Sequence, residues 1–404
     1  MGDTRERLGF AELPTDFHGL HGWFRQMRAD DPVSRDEKFG AWDVFRYADI
    51  EYILGNPAIF SSDFSDMIPP QPEFDLFAEG SFVGMDPPRH SKLRRLVSKA
   101  FTPRVVAGLE PRIATITGEL LDAAARKPAF DAVADLAYPL PVIVIAELIG
   151  VPVADRELFR RWADELFSQD LPDTVLPDEA ELQQRGARLR EMLDYLLAHI
   201  ASRRAQPAGD LTTTLIAAEV DGERLTDREM VGFVALLLIA GHITTTTLLT
   251  NTIMCLDENP SAALALRADP ARIPAALEEV LRYRTPFPRL ARLTKQDTQI
   301  AGQAVPRGQV LNVWVASANR DEQHFAEPDR FDIGRNPNPH VAFGHGIHFC
   351  IGAPLARLEG RIAVDLLLRR STELSVEGET DLYDPRVMTG ARSLPVRAAW
   401  TDAG

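Results

Sequence analysis

The chain has 404 residues, 45% of them hydrophobic and 25% charged, with a formal net charge of −15 at pH 7. Those proportions are ordinary for a globular protein and ample for a large core, while the acidic balance excludes a general nucleic-acid binder, which carries a basic footprint. Two cysteines, Cys255 and Cys350, exclude a disulfide scaffold and suit a reducing compartment.

No repeat, low-complexity tract or Gly/Ser linker divides the sequence, so a single domain over residues 1–404 is expected, with an α-rich and a β-rich lobe. The longest apolar run, residues 231–240, falls short of the ~20 residues that span a bilayer. The N-terminus, with Asp3, Arg5, Glu6 and Arg7, lacks the apolar core of a signal peptide. The expected protein has no membrane span, is cytoplasmic and acts as a monomer.

Helical periodicity dominates in chain order. Apolar residues recur at three- and four-residue spacing over residues 89–100, 108–125, 140–149, 155–167 and 179–203. The longest helix is expected after Thr226, with Glu229 as capping-box partner, and runs to about Glu258 before Pro260. Its centre, residues 231–240, is apolar on every side, which predicts a fully buried helix. Strands are expected over residues 41–46, 298–300, 309–316 and 394–399, with an ordered coil over 324–339. The fold class is therefore mainly α with a small β portion.

The densest local signal is Phe343-Gly344-His345-Gly346-Ile347-His348-Phe349-Cys350-Ile351-Gly352. Its glycines allow a sharp turn and close approach to a flat ligand. The helix that opens at Ala353, with Pro354 in its first turn, places free N–H groups beside the sulfur, which favours thiolate over thiol. A lone intracellular cysteine is also read as a small buried hydrophobe. His340, His345, His348 and Cys350 would suit a zinc site, although zinc ligands usually come as two spaced pairs.

The segment resembles the haem-binding signature of the cytochrome P-450 enzymes, matching at Phe343, Gly344, Gly346, His348, Cys350 and Gly352. Glu279-Val280-Leu281-Arg282 is similar to that family's Glu-x-x-Arg pair, with Arg330 standing where the family supplies a third member of the network. Asp86-Pro87-Pro88-Arg89-His90-Ser91-Lys92-Leu93-Arg94-Arg95 resembles its propionate-binding helix. The resemblance implies the P-450 fold, with a long central helix over haem b, and Cys350 as the iron ligand. It implies His90, Arg94, Arg292 and His348 around the propionates.

Ala240-Gly241-His242-Ile243-Thr244-Thr245 matches the family's oxygen-activating segment, in which glycine opens a groove, an acid relays protons and threonine organises water. Thr244 supplies the alcohol and Ile243 replaces the acid, so water, His242 or a substrate hydroxyl must relay protons. A helix-interior threonine also back-bonds to the preceding turn for structural reasons alone. The aliphatic residue and threonine run resemble the actinobacterial branch that oxidises macrolides. The resemblance thus implies a monooxygenase that hydroxylates or epoxidises a macrolide or other polyketide, with O2 and electrons from NAD(P)H through ferredoxin reductase and ferredoxin. Other hydrophobic substrates (a steroid, terpenoid or peptide), oxidative coupling, and a haem-free recruitment module are the alternatives.

By the same analogy the substrate pocket draws on Phe82, Val83, Phe167, Ala240, Phe287, Leu290 and Met388. Asp63, Asp66, Glu73, Asp75 and Glu79 belong to a solvated loop or receive the cationic sugar of a glycosylated macrolide. Lys92, Arg95, Arg104, Arg357 and Arg361 flank segments that lie on the cysteine side of haem in the family. They form a candidate basic patch for an acidic ferredoxin.

Overall fold

The computed structural model describes residues 10–36, 40–67, 72–127, 129–155, 157–159, 161–162 and 179–401. Its axis is the helix Asp227–Glu258. The Thr226 hydroxyl accepts from the Glu229 N–H at 3.1 Å while the Glu229 carboxylate accepts from the Thr226 N–H at 2.8 Å, so the expected capping box forms. The helices Pro72–Gly80, Pro139–Ile149, Glu179–Ala205 and Ala353–Arg370 pack against it. At the first of these contacts the two backbones nearly touch: a Cβ on Gly232 would stand 2.6 Å from the Gly80 nitrogen. No side chain fits at that crossing.

The expectation of a helix buried all round is corrected in one place. Residues 231–236 are buried, but Leu237, Gly241 and Thr244 are half-buried and Ala240 is exposed. Leu238 and Ile239 are half-buried too, but the spacing of three and four lines Leu237, Ala240, Gly241 and Thr244 on one stripe, which includes the exposed Ala240. Other helices match the sequence reading with small shifts. The run expected over 108–125 divides at Leu109 into Pro103–Gly108 and Glu110–Ala125, where Pro111 starts the second piece. Part of the helix expected over 155–167 lies outside the described residues.

The β portion is a five-stranded sheet in the order Val33–Asp36, Ala41–Val44, Val310–Val313, Leu290–Thr294, Phe60–Ser61. Ala41–Val44 and Val310–Val313 pair in parallel and the other neighbours are antiparallel. The strand Leu290–Thr294 has weak alternation and escapes a reading from sequence, yet it matters. It turns Arg292 and Thr294 to its buried side. The expected strands at 298–300 and 394–399 are found as Thr298–Ile300 and Pro395–Trp400.

The helix Ile273–Tyr283 carries Glu279 and Arg282, both fully buried. Arg282 donates Nε and Nη2 to the two Glu279 oxygens, each at 2.7 Å, and Nη1 to the carbonyls of Asn319 (2.9 Å) and Pro328 (2.7 Å). The third member of the network is Arg335 rather than Arg330. Arg335 Nε reaches the Glu279 oxygens at 3.2 and 3.1 Å, whereas the Arg330 side chain pairs with Glu327 on the surface. Arg330 contributes only its carbonyl, which accepts from Arg282 and Arg335 at 3.1 Å each. The coil places that backbone, not that side chain, against the pair.

This packing generates three stability predictions. Arg335→Ala leaves the buried Glu279 carboxylate short of a cation and should cost on the order of 2–3 kcal/mol in chemical denaturation. Arg330→Ala should change stability by no more than about 0.5 kcal/mol. Glu359, 1% exposed on the helix Ala353–Arg370, has a buried Oε2 without a partner, and burial pushes its carboxyl up to about 8. It stays protonated in the fold while the unfolded chain ionises near its ordinary value of 4.5. Stability should therefore be full below that value and fall as pH rises toward about 8. Glu359→Gln should raise the thermal midpoint at pH 8 and lose that advantage at pH 4.5; an advantage independent of pH would refute the assignment.

Candidate active site

The cysteine turn is built by backbone geometry. Gly344 and Gly346 have φ of +74° and +69°, values that disfavour a side chain. A Cβ on Gly346 would meet the Leu54 carbonyl oxygen at 2.6 Å, so this glycine lets the turn sit on the end of the helix Tyr47–Gly55. The Cys350 N–H closes the loop on the Phe343 carbonyl at 2.9 Å. Gly352 caps the helix that follows. Cys350 is exposed on its open side. The protein around it raises its thiol, opposed by N–H groups of Gly352 and Ala353 and by the charges of Arg94 and Arg357. Those opposing groups are the ones that would hold a thiolate once a cation neutralised it.

Behind the turn, Arg357 lies over the Phe343 ring at 4.6 Å and donates twice to Glu278 at 2.7 Å. His340 also meets Glu278, at 3.0 Å. Burial works against that carboxylate, yet Arg357 and His340 hold it down at about 2. His340 is thus committed away from Cys350, and among the described residues no group of three or more His, Cys, Asp or Glu gathers as a metal set. The zinc alternative has no geometry behind it.

Beside the turn, the four expected cationic residues converge. The His90 and His348 rings stand 4.3 Å apart, and Arg94 donates to the Phe349 carbonyl at 2.6 Å. Both ring nitrogens of His90 and Nε2 of His348 are buried without partners. Burial and then the charge of Arg94 lower the pKa of His90. Burial, then His90 and Arg292, push His348 down to about 3. Burial pushes Arg292 down to about 10; it is 7% exposed and donates to its neighbour, the Ala291 carbonyl. Among the described residues no carboxylate forms an ion pair with Arg94 or Arg292. Asp86 acts on His90, Arg292 and His348 only at a distance and is itself paired with Lys295 at 3.0 Å, so buried donors and positive charge stay without a direct counter-ion, which is costly. They fit a ligand with two anionic groups at one edge, seated against Cys350, as haem with its propionates would be.

Phe82 joins this cluster to the central helix. Its ring stacks on Phe233 at 6.0 Å, meets His90 edge-on at 5.8 Å and carries the Arg94 guanidinium at 5.4 Å. At 2% exposure it is a wall, not a surface for substrate. On the open stripe of the central helix, Thr244 donates to the Ala240 carbonyl at 2.8 Å. That is the back-bond its sequence position allows, and its oxygen keeps lone pairs for a water or ligand donor. Gly241 faces the helix Pro139–Ile149, where a Cβ would meet Ile145 Cδ1 at 2.7 Å. Ile243 is 4% exposed. His242 stands roughly 200° of helical turn before Thr244, on the opposite side. It is 2% exposed against the Tyr138 ring at 4.2 Å, and burial pushes it down to about 4. It is neutral and faces away from the stripe.

The remaining pocket candidates divide. Ala240 and Val83 are exposed and Phe287 and Leu290 are half-buried, while Met388 is buried and Phe167 lies outside the described residues. Of the acidic residues, Glu79 pairs with Arg228 at 2.6 Å and Asp63 accepts from the Ser65 N–H at 2.9 Å, whereas Asp66 and Asp75 are exposed. The Glu73 side chain lies outside the described set. Asn251 was passed over in sequence. Fully buried on the central helix, its amide donates to the carbonyls of Arg284 (3.0 Å) and Thr389 (2.9 Å) and so ties down both segments beside the stripe. An amide inside an apolar helix was the available signal.

Comparison with known proteins agrees with this geometry. The family model described as Cytochrome P450 matches residues 44–388. The chain is 46% identical to cyclomarin C epoxidase CymV of Salinispora arenicola, over 93% of this chain and 95% of that one. It is 44% identical to erythromycin C-12 hydroxylase of Saccharopolyspora erythraea, over 96% and 97%. The structure of open cytochrome P450 Eryk from S. erythraea superposes with a TM-score of 0.88 at 42% identity, covering 97% of this chain and 99% of that chain. With a cysteine turn, a cationic edge and a central helix arranged as described, the chain belongs to the cytochrome P450 family and is a haem-dependent monooxygenase.

Proposed function

We propose that this enzyme inserts one oxygen atom from O2 into a C–H or C=C position of a macrolide or related polyketide, in the cytoplasm, and that Cys350 would hold the iron of haem b. Electrons come from NAD(P)H through ferredoxin reductase and ferredoxin. The observation that carries the haem placement is the convergence of His90, Arg94, Arg292 and His348, without a carboxylate partner, beside an open cysteine. The macrolide reading rests on the likeness to an erythromycin C-12 hydroxylase, together with the apolar rim of the open stripe, and insertion at C=C as well as C–H on the likeness to a cyclomarin C epoxidase.

When bound, haem supplies the iron at which dioxygen is activated, and a thiolate ligand favours O–O cleavage. The chain supplies the rest. Arg94 and Arg292 would hold the propionates by charge, and His90 and His348 would donate ring N–H groups to them. The N–H groups of Gly352 and Ala353 steady the sulfur's charge. Leu237, Ala240 and Gly241 keep the oxygen-binding face narrow and apolar. Thr244 Oγ1, its proton engaged by the Ala240 carbonyl, accepts a hydrogen bond from water or from a substrate hydroxyl. Proton delivery passes to these donors because Ile243 carries none and His242 points elsewhere.

Cys350→Ser should abolish the thiolate-specific Soret band of the reduced, carbon monoxide-bound protein while far-ultraviolet circular dichroism stays helical. A retained band would sink the assignment. For proton supply, product formed per NADPH consumed should be high with a hydroxylated macrolide and poor with small apolar probes. Ile243→Glu should improve the probes and do little, or harm, for the macrolide, because a carboxyl at a site 4% exposed is costly unless neutralised. Equal coupling for both substrate types in the parent would rule out substrate assistance.

A further inference from the structure

Four of the five cations that the sequence suggests for a redox-partner patch are already engaged. Arg357 is held by Glu278 and Arg361 by Glu110, each at 2.7 Å. The other two pairings share one origin. The strands Glu219–Val220 and Glu223–Arg224 form a small antiparallel hairpin. Its two turn residues, Asp221 and Gly222, have φ of +56° and +78°, the signs of a tight two-residue hairpin turn. The hairpin lies along the helix Arg89–Ala100. Glu223 meets Lys92 at 3.3 Å, Asp221 meets Arg95 at 3.0 Å, and the Glu219 carbonyl accepts from Lys99 at 2.7 Å.

Lys92, Arg95 and Lys99 are spaced by three and four residues and form the outer stripe of that helix. The inner side carries His90 and Arg94, the latter bonded to the residue before Cys350. The stripe is thus the protein surface immediately outside the cysteine edge of the site. Its partners are exposed: Arg95 and Asp221 keep 58% and 74% of their side-chain surface, and Lys92 and Glu223 keep 36% and 53%. Pairs so open exchange readily for other anions. The hairpin presents two carboxylates and a carbonyl to three cations, as the face of an acidic protein would.

We propose that the 219–224 hairpin is a built-in competitor for the docking surface of an acidic ferredoxin. It occupies Lys92, Arg95 and Lys99 and must be displaced, or electrostatically outbid, before the partner seats. The inference rests on the ferredoxin reading above. The hairpin lowers affinity for weakly acidic partners and leaves the stripe to strongly acidic ones.

The test uses holoenzyme, an acidic plant-type ferredoxin and its reductase, and the rate at which the ferrous carbon monoxide complex forms as ferredoxin is varied at low ionic strength. A variant with Asp221→Asn and Glu223→Gln should lower the half-saturating ferredoxin concentration roughly two- to tenfold, and the gain should shrink in high salt. A control variant, Glu373→Gln with Glu377→Gln on the C-terminal sheet, removes the same charge elsewhere. A second variant, Lys92→Gln with Arg95→Gln, should raise the half-saturating concentration. Reduction by dithionite should be unchanged in all of them. If neutralising Lys92 and Arg95 has no effect while ferredoxin still supports reduction, the stripe is not the docking surface and the competitor is refuted; if ferredoxin supports no reduction of the parent, the ferredoxin reading itself falls. If it weakens docking but neutralising the hairpin does nothing, or no more than the control, the competitor is refuted.

Discussion

The site depends on the buried pair Glu279–Arg282. Neither residue has measurable exposure, and every oxygen and terminal nitrogen of the pair is used. Glu279 accepts from the Asp332 N–H (2.9 Å), Arg335 and Asn338 as well as Arg282. Desolvating two charges is expensive, and only such complete satisfaction offsets it. The arrangement organises a long coil that has no periodic structure of its own. Arg282 holds the carbonyls of Asn319, Pro328 and Arg330, while Asn319 accepts from the Val341 N–H at 2.8 Å, where the cysteine turn begins. The position of Cys350 is thus fixed by polar bonds radiating from one ion pair rather than by a strand or helix of the coil.

The cationic edge works by the opposite logic. The Glu279–Arg282 pair is neutral and saturated, whereas burial lowers the pKa of His90, Arg94, Arg292 and His348, neighbouring charges add to it at the two histidines, and ring nitrogens are left unspent. Such a cluster costs the apoprotein stability, and an anionic ligand that binds only the folded state returns it. The cost is tolerable because each residue sits on an element anchored elsewhere. His90 and Arg94 lie one turn apart on the helix Arg89–Ala100, and Arg292 lies on an interior strand of the five-stranded sheet.

Sequence and structure agree where the signal is local. The capping box at Thr226, the glycine turn before Cys350, and the His90–Arg94 spacing are each read within ten residues, and each forms as expected. Disagreement arises where partners come from afar. Arg330 and Arg335 are equally plausible in sequence, because a coil gives no periodicity from which to tell which side chain points inward. The candidate basic patch reads as free in sequence because the acids that cover it come from distant segments: Arg95 and Asp221 are separated by 126 positions and Arg357 and Glu278 by 79. Asn251 and the strand that aims Arg292 went unseen for the same reason. Their meaning depends on loops that only the fold brings to the central helix.

The central helix shows how one element serves both packing and chemistry. Gly232 meets the backbone of the helix Pro72–Gly80 at distances that exclude a side chain, which fixes the rotation of the central helix there, while at Gly241 only the movable end of Ile145 stands within reach. With rotation fixed, Leu237, Ala240 and Thr244 face the opening, Gly241 lies beside them against the helix Pro139–Ile149, and His242 and Ile243 face the packed interior. An acid at position 243 would need a buried partner, and His242 beside it is neutral and supplies no charge to hold one. The isoleucine therefore suits the packing better than an ionised carboxylate would. The consequence for chemistry is direct. A helix that cannot rotate, with no proton donor but an alcohol on its open face, leaves proton supply to whatever molecule lies against Thr244.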